Sequence, residues 1–222
     1  MSMTTQDNIK INMTPVAAIE TLHPADSNTE ELDNEQLFRA GSYGLLATLL
    51  RATPTQTVLE QVEELAAINQ REDELSLAMT MLGLAARSAA PDSINDEYHA
   101  LFIGLGRGEL VPFASWYLTG FLMEKPLAIL RDDLSALGFE RQDDIHEPED
   151  HVAALCEVMA MMIAENQDFS TQFTFHKNHI DTWFGQFFED LSSAKNAVFY
   201  RAAGRFGQAF FDLERRYFSM NV

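Results

Sequence analysis

Apolar residues recur along most of the chain at intervals of three and four, which is the spacing of one face of an α-helix. The pattern starts at about Asn34 and predicts successive helices, among them one over about 124–137 and one over 148–167. In the last quarter of the chain the stripe is aromatic and holds 11 of the 16 Phe. No run alternates apolar and polar residues as a half-buried strand would. The pattern therefore predicts an all-α, single-domain, multi-helix bundle.

Prolines, glycines and short polar residues mark the predicted helix ends. Thr53 is placed as the N-cap of a helix whose first residue is Pro54, because a proline there loses no hydrogen bond. Ser93 and Asp96 resemble a capping box for a short helix. Gly138 stands in the position of a C-terminal cap for a later helix.

The first 33 residues differ from the rest of the chain. They show neither the apolar spacing of a helix nor that of a strand, and they mix Thr, Asn, Asp and two prolines. We therefore expect residues 1–33 to form a loose N-terminal arm before a helical domain over 34–222. The arm has one basic residue, Lys10, and no apolar core of a secretory signal. The longest apolar run, Val158–Ala164, is far shorter than the roughly 18 residues of a membrane span. We expect a cytoplasmic protein without membrane insertion.

The net charge of the chain excludes some classes of binding partner. The chain has 34 acidic and 15 basic residues, for a net charge of −19, and its 46% of hydrophobic residues suffices for a core. A nucleic-acid-binding protein needs a basic surface to displace the counterions of the phosphates. The balance also argues against docking on an anionic membrane. Any partner selected by charge should therefore be positive.

Several residues that could carry chemistry have a simpler structural interpretation. The one cysteine, Cys156, lies in an apolar helical stripe, which indicates a buried and inert thiol. The glycine cluster over Gly104–Gly108 lacks the Gly-Lys-Ser/Thr of a phosphate-binding loop, so we interpret it as a flexible connection. His176 and His179 have no glutamate in a zincin arrangement, which favours core or capping roles over metal binding.

The densest titratable cluster is His146–His151. Our first interpretation is a helix start, with Glu147 as N-cap, Pro148 as the first helical residue, and Glu149 and Asp150 in the first turn. The partial positive charge of a helix N-terminus stabilises acids there by about 0.3–1 kcal/mol each. Helix capping alone would therefore explain the cluster.

A helical wheel adds a second interpretation of the same cluster. At 100° per residue, Asp150 would point away from the apolar stripe of its helix and His151 would lie near the edge of that stripe. With Glu140, Asp143 and Asp144, residues 140–150 hold six acids against one arginine. Carboxylates accept paired hydrogen bonds from guanidinium groups, so an arginine-bearing peptide would suit this surface. Metal binding or acid/base catalysis is a third interpretation, but no spacing selects a catalytic pair.

Four segments together resemble the TorD/DmsD family of molybdoenzyme chaperones. The segment Tyr98–Gly104 is similar to the Tyr-x-x-Leu-Phe-x-Gly signature of that family, and Pro112–Ser115 to its Pro-x-x-Ser segment. The segment Glu147–His151 matches Glu-Pro-x-Asp-His, and His179–Trp183 resembles His-hydrophobic-x-x-Trp. Their order and spacing hold over about residues 37–218.

The resemblance implies an all-helical, TorD-like cytoplasmic chaperone that is not an enzyme and needs no cofactor or metal. Such a protein binds the twin-arginine leader and the apo form of a molybdopterin oxidoreductase and assists cofactor insertion before export. The resemblance assigns Tyr98 and Phe102 core roles more readily than direct contacts. The leader-binding residues that it implies are Glu147, Asp150, His151, Trp116 and Tyr117, with Tyr98 and Phe102 as further candidates.

Two alternatives come from other functional classes. A helical assembly or adaptor protein would pair an exposed apolar face with itself, as a homodimer, or with another helical subunit, and would not bind a leader. A metal-dependent enzyme would use His146, Glu147, Asp150 and His151. Neither alternative explains the four ordered segments.

Overall fold

The computed structural model describes residues 9–11, 34–68, 73–105, 107–142 and 147–220. In these ranges it contains ten α-helices and two π-helical turns. The helices are, in chain order, α1 Asn34–Arg51, α2 Gln56–Ile68, α3 Glu74–Ser88, α4 Pro91–Tyr98, α5 Ala114–Thr119, α6 Lys125–Ala136, α7 Val152–Ala164, α8 Phe169–Phe175, α9 Phe184–Ser193 and α10 Phe199–Met220. The predicted all-α class is confirmed.

Some predictions fall on residues outside the described ranges. They are the loose arm over 1–33, except for its residues 9–11, and the acids Asp143 and Asp144 with His146. Within the described ranges, every helix is too short or too polar to cross a membrane.

The chain divides into two compact units. The first contains residues 1–47 and 113–180, and the second contains residues 48–112 and 181–222.

The first unit has its most buried element in α7. Nine of the 13 residues of this helix are buried, and they include Cys156, which is 0% exposed. A helix that is apolar on nearly every side belongs inside a unit. The prediction of a buried Cys156 is therefore confirmed.

A short strand pair also belongs to the first unit. Strand β1, Ile9–Ile11, pairs in parallel with β2, Phe139–Arg141, and Ile9 lies opposite Phe139. The sequence predicted no strands. Three residues are too few to show the alternation of a strand, so periodicity alone could not identify this pair.

The second unit is built on the close packing of α9 and α10. A Cβ atom at Gly207 would lie 2.3 Å from the ring of Phe188, and one at Gly204 would lie 2.7 Å from the main-chain nitrogen of Ser192. These glycines let the two helices approach closely. The aromatic stripe predicted for the last quarter of the chain is confirmed here, since the residues that form it in α9 and directly before it are all buried: Trp183, Phe184, Phe187, Phe188 and Leu191.

Two predicted helix starts are wrong. Helix α2 begins at Gln56 rather than Pro54, and the hydroxyl of Thr55 accepts the N–H of Val58, so Thr55 is the cap rather than Thr53. Helix α4 begins at Pro91 rather than after Ser93. Proline at the first helical position needs no donor and its φ is already helical, which favours the earlier start.

The predicted end of α6 is confirmed. Gly138 has φ of +83° two residues after the last helical residue, Ala136. Glycine adopts this left-handed conformation without the steric cost that a Cβ atom adds.

Candidate functional site

The helix that contains the acidic cluster begins later than predicted. Helix α7 starts at Val152, and its N-cap is His151, whose Nδ1 accepts the N–H of Ala153 at 3.1 Å. The carbonyl of Pro148 accepts the N–H of His151, so the residues before the helix form a turn. The predictions of Glu147 as N-cap and Pro148 as first helical residue are therefore wrong. An imidazole nitrogen replaces the expected carboxylate as the capping acceptor.

Asp150 is buried rather than directed to solvent. It is 1% exposed, and its Oδ2 accepts the N–H of Ser115 at 2.8 Å. Its main-chain oxygen accepts the N–H of Ala114 at 2.9 Å. The helical-wheel placement of Asp150 is wrong because this residue precedes the helix and does not follow its phase. Asp150 instead caps the first turn of α5.

His151 also joins the two segments. Its backbone forms an isolated antiparallel bridge with Phe113, and the two rings meet edge-on with centroids 4.9 Å apart. His151 is 5% exposed, so its predicted position at a solvent-facing edge is wrong. The Pro-x-x-Ser and Glu-Pro-x-Asp-His segments therefore meet through Phe113–Ser115 and Asp150–His151. Sequence spacing did not reveal this contact, because 35 residues separate Asp150 from Ser115.

Three other candidate side chains are more accessible than Asp150 and His151. Trp116 and Tyr117 lie on α5 and are half-buried, and Glu147 is exposed. The first unit thus combines two aromatic side chains with an acid at its surface.

The negative charge of Glu149 is balanced by arginines, which its place in an acidic cluster did not suggest. Its carboxylate forms ion pairs with Arg131 at 2.8 Å and with Arg141 at 3.6 Å. Arg141 also donates to the main-chain oxygen of Glu147 at 3.3 Å. The carboxylate of Glu149 is therefore already neutralised by two arginines of the same unit.

Metal binding by this cluster has little structural support. In the part of the chain that the structure describes, no three His, Cys, Asp or Glu side chains form a group that could hold a metal ion. The Nδ1 of His151 and the Oδ2 of Asp150 already accept main-chain N–H groups.

Tyr98 and Phe102 belong to the second unit, where they form a ring cluster with Tyr200. The ring centroids of Tyr98 and Phe102 are 5.1 Å apart, and those of Phe102 and Tyr200 are 5.4 Å apart. The hydroxyls of Tyr98 and Tyr200 donate to the carbonyls of Arg51 and Leu49 at the end of α1. Burial, together with the neighbouring Tyr98 and Glu97, raises the pKa of Tyr200 well above its ordinary value. Its hydroxyl therefore stays protonated and remains a donor.

Glu97 is a structural residue that sequence reasoning missed. Its carboxylate accepts the N–H groups of Val198, Phe199 and Tyr200 at 2.8, 3.0 and 2.7 Å. The bonds satisfy donors at the start of α10 that have no partner within the helix. No local signal could have revealed this cap, because about a hundred residues separate donor and acceptor.

Glu109 makes a similar set of bonds at an exposed position. Its carboxylate accepts the N–H groups of Lys195 and Asn196 and the side-chain amide of Asn196. Partial burial raises the pKa of Glu109, but these hydrogen bonds outweigh it and lower the pKa below the usual 4.5. The charged form is therefore favoured in the folded protein.

Replacing Glu109 with glutamine, which keeps one acceptor oxygen, should lower the free energy of unfolding by about 0.5 kcal/mol at neutral pH. Because folding lowers the pKa, this contribution is present above pH 4.5 and is lost as the pH falls through the folded value. Urea unfolding of both proteins along a descending pH series measures the difference. Glu64→Gln, at an exposed position on α2, is the control. Its difference in free energy of unfolding from the wild type should not shrink as the pH falls. A difference between Glu109→Gln and wild type that persists in acid would contradict the assignment.

Comparisons with known proteins agree with this architecture. The family model described as nitrate reductase delta subunit matches residues 55–189. The chain is 28% identical over 198 residues to the chaperone protein TorD of Vibrio cholerae, which covers 84% of each chain. It is 34% identical over 114 residues to the probable Tat proofreading chaperone DmsD of Haemophilus influenzae, which covers 50% of this chain and 54% of that relative.

A solved structure shows the same fold. The redox enzyme maturation protein of Archaeoglobus fulgidus superposes with a TM-score of 0.51 at 17% identity, over 86% of this chain and 99% of the other. The family match covers more than half of the chain. The chain therefore belongs to the nitrate reductase delta subunit family, the family of the TorD and DmsD molybdoenzyme chaperones.

Proposed function

We propose that this protein is a cytoplasmic chaperone for the maturation of a molybdopterin oxidoreductase. It binds the twin-arginine leader and the apo form of its client, holds the client while the cofactor is inserted, and then releases it for export. The observation that carries this proposal is the similarity to a TorD chaperone over 84% of both chains. The work is done by binding, so the protein itself catalyses no reaction.

Charge supports a leader as the partner. In its described residues the first unit holds 11 acidic and 6 basic residues, so this part of the unit carries a net negative charge. Such a surface attracts a cationic peptide over distances of about the Debye length, roughly 10 Å at 0.1 M salt. Paired hydrogen bonds between two arginines and carboxylates would add to the free energy of binding.

We assign the candidate residues to two roles. Glu147, Trp116 and Tyr117 contact the leader, because a carboxylate and aromatic rings both attract guanidinium groups. Asp150 and His151 are buried and position α5 through the contacts with Ser115 and Phe113. Tyr98 and Phe102 stabilise the second unit.

A calorimetric titration with a twin-arginine leader peptide tests the function. The wild-type protein should bind the leader, and a peptide with both arginines changed to glutamine should bind at least about tenfold more weakly, because it loses two charge-assisted contacts. The difference should shrink at high salt.

Protein variants locate the contact. Glu147→Gln should weaken binding of the arginine peptide, whereas Glu165→Gln, at another exposed acid of the same unit, should not. Equal affinity for both peptides would remove the arginine pair from recognition. A stable homodimer without affinity for any leader would instead favour the helical adaptor.

A further inference from the structure

Strand β1 is the strand partner of β2 in the part of the chain that the structure describes. The two strands run in parallel, with Ile9–Ile11 opposite Phe139–Arg141, residue for residue. Without β1, the main-chain N–H and C=O groups along that edge of β2 would have no strand partner. An edge of this kind is a template for another extended segment. The edge of β2 is therefore a surface that takes an added strand.

The strand pair is small enough for one strand to be exchanged. Each strand has three residues, and an isolated pair of strands is only marginally stable in water. Strand β2 has further support, because Phe139 is 2% exposed and α6 contacts the strand. We therefore expect β2 to stay in place when β1 leaves it.

Strand β1 contacts two elements that are joined to the candidate site. The first is β2, whose last residue, Arg141, donates to the main-chain oxygen of Glu147 and forms an ion pair with Glu149. The second is α7, the helix that His151 caps. Both neighbours of β1 are thus connected to the Glu147–His151 segment.

The sequence of β1 has the chemistry of a cationic apolar peptide. It places one basic residue, Lys10, between two isoleucines, and Lys10 stands opposite Glu140 in the register. The described part of the first unit holds 11 acidic and 6 basic residues, so positive charge is favoured there. A twin-arginine leader combines apolar residues with two positive charges. Each guanidinium can also form paired hydrogen bonds to a carboxylate, which an ammonium group cannot.

We propose that β1 and an extended segment of the leader compete for the edge of β2. In the free protein β1 occupies this edge, and leader binding displaces it. This proposal rests on the proposed function and adds a regulation of the same site, because a strand of the protein itself lowers the apparent affinity for the leader. When a site is open in only a fraction of the molecules, the apparent dissociation constant rises by the inverse of that fraction.

The competition discriminates against weakly bound peptides. Because β1 is part of the same chain, it competes at a fixed local concentration that dilution does not lower. A peptide without the arginine pair must displace β1 with fewer charge-assisted contacts, so it binds less. The strand thus raises the difference in affinity that the site needs to select its client.

Titration of a twin-arginine leader against a double variant, I9G/I11G, tests the proposal. Glycine is unfavourable in strands, and the variant keeps Lys10, so β1 is weakened while the net charge is unchanged. The variant should bind the leader at least about threefold more tightly than the wild type does. The matched control is V16G/A18G, which introduces two glycines outside β1 and should bind as wild type.

A second variant weakens the strand pair through charge. Lys10→Glu places a like charge opposite Glu140 and should also bind the leader more tightly than wild type does. Added negative charge attracts a cationic peptide by itself. Lys177→Glu, at an exposed position of the same unit, makes an equal change in charge and is the control. Lys10→Glu should bind the leader more tightly than Lys177→Glu.

Amide hydrogen exchange of the wild type measures the displacement directly. The leader should speed exchange at residues 9–11 but not at residues 139–141, where it replaces β1. If I9G/I11G binds the leader as V16G/A18G does, and exchange at residues 9–11 is unchanged, the competition is wrong and the proposed function stands. If I9G/I11G binds the leader more weakly than wild type does, β1 contributes to binding and the competition is again wrong. If no form of the protein binds the leader, the proposed function fails as well.

Discussion

Replacing Glu97 with alanine is expected to lower the free energy of unfolding by about 3 kcal/mol. The carboxylate accepts three main-chain N–H groups at the start of α10, and those of Phe199 and Tyr200 belong to buried residues. A buried donor that loses its acceptor costs about 1–3 kcal/mol. Urea unfolding followed by circular dichroism at neutral pH measures the change.

Two further variants separate the cap from the loss of a side chain. Glu97→Gln keeps one acceptor oxygen and should lose less stability than Glu97→Ala. Glu109→Ala removes a carboxylate with the same kind of bonds from an exposed position, where water replaces the lost acceptor, and should cost about 1 kcal/mol. If Glu97→Ala were no more destabilising than Glu109→Ala, the capping role of Glu97 would be wrong.

Replacing Asp150 with alanine is expected to lower both stability and leader affinity. Loss of the bond to Ser115 removes a buried N-cap and should cost about 2 kcal/mol. The leader should bind at least about tenfold more weakly, because the positions of Trp116 and Tyr117 depend on the orientation of α5. Calorimetry below the melting temperature of the variant measures the affinity.

The conservative variant Asp150→Asn distinguishes position from charge. Its amide oxygen can still accept from Ser115, so a positioning role predicts near wild-type affinity, whereas direct attraction of an arginine predicts a loss. Asp168→Ala is the control: Asp168 caps α8 in the same unit through Thr171, and its loss should not affect the leader. Unchanged affinity in Asp150→Ala would exclude Asp150 from both roles.

The helices could be predicted because their apolar faces repeat over many residues. In α9 and α10 the stripes are long enough that a boundary error of two residues does not change the buried face. The first and last residues of a helix depend on one or two hydrogen bonds. At the start of α2 the sequence contains two residues that could act as the cap. Thr53 and Thr55 both stand beside Pro54, and only the structure shows that Thr55 is used.

The candidate site was predicted in part. The cluster at Glu147–His151 was found, but its geometry was not, because the wheel assumed that Asp150 was already helical. A residue that caps a different helix has no periodic signal. The same reason explains why Glu97 was missed, although it directly precedes Tyr98, the first residue of a segment that carries the resemblance.

Cys156 gives the protein a built-in reporter. Since it is the only cysteine and is 0% exposed on α7, a thiol reagent reaches it only when that helix opens. The labelling rate in native buffer therefore follows local opening of the helix that His151 caps, without any introduced probe. A cysteine that replaces an exposed residue such as Phe121 would be labelled first, so a fluorophore can be attached there without removing the native thiol.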